Sequence, residues 1–111
     1  VSNLEVRTEG RHAVVTGPPR LNITAAPRLR EVLSQTVADG TSHIVVDLGG
    51  TTFVDSSGLG ALVGGLKTAR QAGGDLRLAA VSEQVMTILT LTSLNRVLRP
   101  FPSVEDAVRD W

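Results

Sequence analysis

Val45-Val46-Asp47-Leu48-Gly49-Gly50-Thr51-Thr52-Phe53-Val54-Asp55-Ser56-Ser57-Gly58-Leu59-Gly60-Ala61-Leu62 joins an apolar run to the start of an amphipathic segment through a short glycine- and threonine-rich loop. From Ile44 to Leu48 only Asp47 is charged, as expected of a strand buried at the middle of a sheet. From Ser57 onward Leu59, Leu62, Val63, Leu66 and Ala69 recur by threes and fours until Gly73-Gly74, which is the spacing of a helix with one buried face and a glycine stop. A buried strand feeding a helix through the Gly49-to-Asp55 connection is a building unit of α/β architecture.

The flanking sequence repeats that alternation. Upstream, Leu4, Val6 and Thr8 alternate with charged residues, and Gly10-Arg11 separates them from the β-rich run His12 to Thr16, a hairpin pattern. Gly17-Pro18-Pro19 ends the hairpin. Asn22 is an acceptable cap for a first helix, whose apolar positions run from Ala25 to Val37 before Asp39-Gly40, with Pro27 in its opening turn. Downstream, Leu76, Leu78 and Ala80 predict a third core strand, Val85, Ile88 and Leu89 a third helix, and Val104, Ala107 and Val108 a short last helix after Pro100 and Pro102. The chain is expected to form one α/β folding unit over residues 1–111, with a partly parallel sheet and no internal repeat or linker.

Composition excludes several function classes. The 111 residues hold 11 Lys+Arg against 11 Asp+Glu, so the basic excess that nucleic acid or an anionic membrane demands is missing. Aromatic residues amount to 3%, which leaves little on which bases would stack. With no cysteine there is no disulfide framework, thiol nucleophile or cysteine-built metal site, and a reducing compartment is expected. No apolar stretch approaches the roughly 18 residues that span a bilayer, and Val1-Ser2-Asn3-Leu4-Glu5 lacks the pattern of a leader, so a cytoplasmic protein is expected.

The loop-to-helix junction is the most unusual local sequence. A helix start leaves backbone N–H groups unpaired and carries partial positive charge. Ser56 or Ser57 is therefore either the helix cap or a modification or ligand site held at that terminus. A serine hydrolase is disfavoured, because the G-x-S-x-G elbow is absent and His43 lies at the far end of the preceding strand, about 17 Å away at 3.3 Å per residue. Phosphate-loop readings fail too: Val63 stands where a third glycine is needed, and Leu66 intervenes between Gly65 and Lys67. Gly60 and Gly64 share a helical stripe with Lys67 and Gln71 opposite the apolar face, and each weakens the helix by up to about 1 kcal/mol. Two such glycines predict a close approach to the backbone, either by another part of the chain or by a partner.

The quoted stretch resembles the signature of the STAS domain, particularly the bacterial anti-sigma factor antagonists, and the likeness extends through Gly73-Gly74 and Ala80-Val81-Ser82 to Val97–Ala107. The resemblance implies a mixed β-sheet with helices packed mainly on one face. It implies a regulatory protein with no catalytic residues, metal or cofactor, and nothing in the sequence demands more than a monomer. In that family the serine or threonine immediately before the glycine is phosphorylated by an anti-sigma factor that is also a serine kinase; carried over, this residue is Ser57. The unphosphorylated form would bind the anti-sigma factor and release a sigma factor, and a metal-dependent serine phosphatase would restore it. Asp55, Ser56, Ser57, Gly58, Leu59, Gly60 and Gly64 are then expected at the partner surface, with Thr51, Thr52, Val54 and Leu59 toward its rim. Many relatives carry an acidic Gly-Glu-Leu-Asp-like stretch where this chain has Pro19-Arg20-Leu21-Asn22, which places Arg20 and Asn22 beside the same surface with altered charge. A non-catalytic STAS subunit of a stressosome or membrane-transport complex is the alternative implied by the same likeness.

Overall fold

In the computed structural model, which describes residues 4–111, the upstream alternation forms two antiparallel strands, β1 (Val6–Glu9) and β2 (His12–Thr16), with Val6 opposite Val15 and Glu9 opposite His12. Val1–Asn3, on which part of the expectation about a leader rests, lie outside the described residues. A two-residue strand β3 (Arg20–Leu21) precedes α1 (Ala26–Ala38), and β4 (His43–Asp47) with a second two-residue strand, β5 (Phe53–Val54), precedes α2 (Ser56–Gln71). The chain continues through β6 (Asp75–Ala79), α3 (Glu83–Leu91), a 3-10 turn (Leu94–Arg96), β7 (Pro100–Phe101) and α4 (Val104–Ala107).

The apolar run of β4 lies at the centre of a five-stranded mixed sheet of order β1-β2-β4-β6-β7, parallel except for the opening hairpin. Alternation sends Ile44 and Val46 to one face and His43, Val45 and Asp47 to the other. Ile44 and Val46 join Val15, Leu76 and Leu78 beneath Leu29 and Leu33 of α1, Leu62 and Leu66 of α2, and Val85 and Leu89 of α3, forming the main core. Val45 and Ala79 meet Ala107 on the opposite face, where Phe101 and Trp111 close a smaller cluster. The mixed sheet with helices mainly on one face is thus present, α4 being the exception.

The structure corrects the sequence reading at three places. Asn22 does not cap α1: its Oδ1 accepts from the N–H groups of Thr24 and Ala25 at 3.1 Å each, closing a turn ahead of the helix, and Ala25 stands at the cap without a side-chain bond. Pro27, near the start of α1, fixes where the first helical turn begins. The loops around Pro19 and Phe53 carry a parallel pair, Arg20 opposite Phe53 and Leu21 opposite Val54. Ala80 lies outside β6 with φ 56°, so its strand ends one residue early.

Candidate functional site

Asp55 organises the junction between β5 and α2. Its backbone is extended, with φ −104° and ψ −175°, and its Oδ1 accepts from the N–H of Gly58 at 2.9 Å, the geometry of a helix N-cap. Its Oδ2 accepts from the N–H of Ile23 at 3.0 Å, and its own N–H donates to the Leu21 carbonyl at 3.2 Å. One carboxylate therefore ties the start of α2 to the segment that follows β3. Neither serine is the cap, contrary to one branch of the sequence reading: both already have helical backbone, whereas the capping position requires the last extended residue. Among the described residues neither serine hydroxyl makes a hydrogen bond; Ser56 is exposed and Ser57 half-buried.

The glycines divide into two kinds. Gly58 is buried, and a Cβ there would run into the Leu21 carbonyl oxygen and lie 2.7 Å from Leu21 Cγ and 3.1 Å from Val54 Cγ1. Glycine at this position lets the β3–β5 pair sit directly against the first turn of α2. At Gly60 and Gly64 the neighbour is the guanidinium of Arg30 from α1, whose Nη2 and Nη1 lie 2.9 and 3.2 Å from the sites of the missing Cβ atoms. The close approach expected from these two glycines is thus intramolecular.

Other residues expected at the surface are inside. Leu59 is 8% exposed and belongs to the main core, as does Val54 at 2%. Thr51 is fully buried, its hydroxyl donating to the Pro18 carbonyl at 2.7 Å, because this bond braces the β3–β5 pair; Thr52 stays exposed. A rim role for Thr51, Val54 and Leu59 is therefore overturned by burial. Asn22 is half-buried, with its carbonyl oxygen engaged in the local turn.

The face around Ser57 holds features that the sequence reading missed. Ile23, in the turn after β3, is 71% exposed and Phe53, on β5, is 37% exposed; the first donates its N–H to Asp55 and the second precedes it by two residues. The Arg20 guanidinium stacks 4.4 Å from the centre of the Phe53 ring, a cation–π contact. The signal available in the sequence was that Phe53, one of only two phenylalanines, stands two residues before Asp55. Ile23 and Phe53 are thus connected to the Asp55 cap through the chain and one hydrogen bond, and Arg30 reaches the helix face one turn beyond Ser57. The histidines lie elsewhere: His12 and His43 are paired in register on β2 and β4, and both rings pack near Trp111, at 6.5 and 5.0 Å. The His12 side chain is 17% exposed. Among the described residues no three His, Asp or Glu groups come together as metal ligands, and no helix is long and apolar enough to cross a membrane.

The family described as STAS domain matches residues 3–107. An anti-sigma-B factor antagonist of Staphylococcus aureus (strain NCTC 8325 / PS 47) is 32% identical over 96 residues, covering 86% of this chain and 89% of that one. A Thermotoga maritima protein solved as a candidate anti-sigma factor antagonist superposes with TM-score 0.88 at 25% identity, covering 96% of this chain and 92% of its own. The murine anion transporter Slc26a9 matches with TM-score 0.77 at 26% identity, over 93% of this chain but 18% of the transporter. The match along nearly the whole sequence, together with the mixed sheet and the Asp55-capped helix, establishes that the chain belongs to the STAS domain family.

Proposed function

We propose that this protein is an anti-sigma factor antagonist switched at Ser57. The unphosphorylated form docks on an anti-sigma factor that is also a serine kinase and so releases a sigma factor; phosphate on Ser57 ends the docking, and a serine phosphatase restores it. The observation that carries this reading is the state of the Ser57 hydroxyl. Asp55 supplies the cap, so the serine at the second helical position makes no internal hydrogen bond among the described residues, two residues after a carboxylate that also holds the exposed Ile23. A phosphate there adds about −1.5 to −2 charges. The N-terminus of α2 tolerates that charge locally, whereas a partner docked at this junction meets new charge and bulk. The change expected is lost docking without refolding.

Incubating the protein with ATP and lysate of its own host, followed by phosphosite mapping, tests the switch. Phosphate on Ser57 that disappears in Ser57→Ala supports it; active kinases with no label at Ser57 overturn it. The likeness to a domain within Slc26a9 favours a second reading, a STAS subunit held in a larger assembly. Recovery of a stable complex with a transporter or stressosome protein, unaltered by Ser57→Glu, would favour that alternative.

A further inference from the structure

We infer that Arg30 of α1 is the intramolecular counter-ion for a phosphate on Ser57, an inference that rests on the reading of Ser57 as the modified residue. Ser57, Gly60 and Gly64 follow one another by three and four along α2 and therefore share a face, with neighbouring Cβ positions about 5–6 Å apart. The guanidinium of Arg30 lies on that face, 2.9 Å from the Cβ position of Gly60 and 3.2 Å from that of Gly64, one helical turn from Ser57. It reaches this place because neither glycine has a side chain to exclude it.

Arg30 is also uncommitted. Arg28, two residues earlier on α1, is bound to Glu31 at 2.6 Å, but Arg30 has no carboxylate within 4.0 Å among the described residues. The nearby acid, Asp55, has both oxygens engaged by backbone N–H groups. Guanidinium presents a planar fork that matches phosphate in bidentate fashion, and a phosphoseryl side chain brings such a group toward it. Two further cations belong to the same surroundings. Arg20 is held over Phe53 at 4.4 Å, and Lys67 is exposed nearly two helical turns beyond Gly60. Lys67 is on the same stripe but nearly two turns further on, so among the described residues Arg30 is the unpaired cation within one helical turn of the serine. Pairing draws its guanidinium toward Ser57 and off Gly60 and Gly64, so that modification changes the shape of this face as well as its charge.

The test uses the full chain with phosphoserine installed at position 57 during translation, which requires no kinase, and follows the phosphorus NMR shift against pH. In the wild type the second ionisation of the phosphate is expected to fall below that in Arg30→Gln by roughly half to one pH unit, the size of an exposed ion pair. Arg30→Lys should recover part of that difference, and Arg20→Gln should titrate like the wild type. Superimposable curves for wild type and Arg30→Gln overturn the inference, as does a change confined to Arg20→Gln. A reading that needs no variant is the Arg30 Nε–H resonance, which should move when residue 57 is phosphoserine rather than serine; a fixed resonance counts against the pair. These outcomes are separate from the kinase experiment. Failure of labelling at Ser57 removes the switch, whereas coincident titrations remove the Arg30 contact alone.

Discussion

Asp55 shows how one side chain can tie two segments of the fold together. Both of its oxygens are occupied, by the N–H of Gly58 and by that of Ile23, so its removal uncaps α2 and frees the segment after β3 together. Asp55→Ala should lower unfolding stability by about 1–2 kcal/mol in urea titrations, and Asp55→Asn by less, since asparagine remains a good cap. If both variants match the wild type, the staple has no energetic weight. Asp110 is a second residue with a definite expectation. The hydrogen bond from Arg77 holds its carboxyl below the ordinary value of 3.8, with the charge of Arg77 assisting and desolvation opposing. A carboxyl lowered in the folded state contributes stability above its unfolded value and loses it as pH falls through the folded one. The resulting change below pH 3.8 should be visible in the fluorescence of Trp111, the sole tryptophan, and should be absent in Asp110→Asn.

At the scale of elements, α2 is held on two sides by different means. Its first turn lies against the β3–β5 pair, where the atom facing Gly58 is a backbone oxygen that cannot move aside. Further along, Gly60 and Gly64 face the tip of a flexible arginine. Gly58→Ala should therefore destabilise by about 1–3 kcal/mol through overpacking. Gly60→Ala should be neutral or stabilising by up to about 1 kcal/mol, because alanine favours helix and the guanidinium can swing away. Thermal or urea unfolding of the two variants side by side checks the contrast, and equal losses would contradict it. The helix itself was legible, since the spacing of Leu62, Leu66 and Ala69 and the stop at Gly73 are local signals. The β3–β5 pair was not, because two residues are shorter than any periodicity and pairing across about thirty positions leaves no local trace.

Across the whole molecule the sheet separates two cores of unequal size, and Arg77 holds the smaller one together. It is 5% exposed, donates to the Ala107 carbonyl at 2.7 Å, pairs with Asp110 at 2.5 Å and lies 4.3 Å from the centre of the Trp111 ring. Asp110 is 71% exposed on its side chain, and the more enclosed Asp75, 3.7 Å from Arg77, keeps Arg70 and Arg99 as partners, so loss of Arg77 would not strand an unpaired buried charge. The cost comes from an unpaired carbonyl and lost stem packing, so Arg77→Ala should destabilise by about 2–3 kcal/mol and shift Trp111 fluorescence toward that of a solvated indole. An unchanged emission maximum would show that the C-terminal segment is held by other contacts. The order of the main helices and the longer strands, the sheet class and the location of the Ser57 junction were determined by the sequence alone, whereas the two-residue strands β3, β5 and β7 were not, since apolar spacing and glycine or proline punctuation act over a few residues. Tertiary structure decided that Asp55 rather than a serine caps α2, that Thr51 and Leu59 turn inward, and that Arg30 covers Gly60 and Gly64. The burial of Thr51 and Leu59, the place of Arg30 and the second bond of Asp55, to Ile23, depend on which atoms distant segments bring together, and one-dimensional spacing carries no record of that proximity.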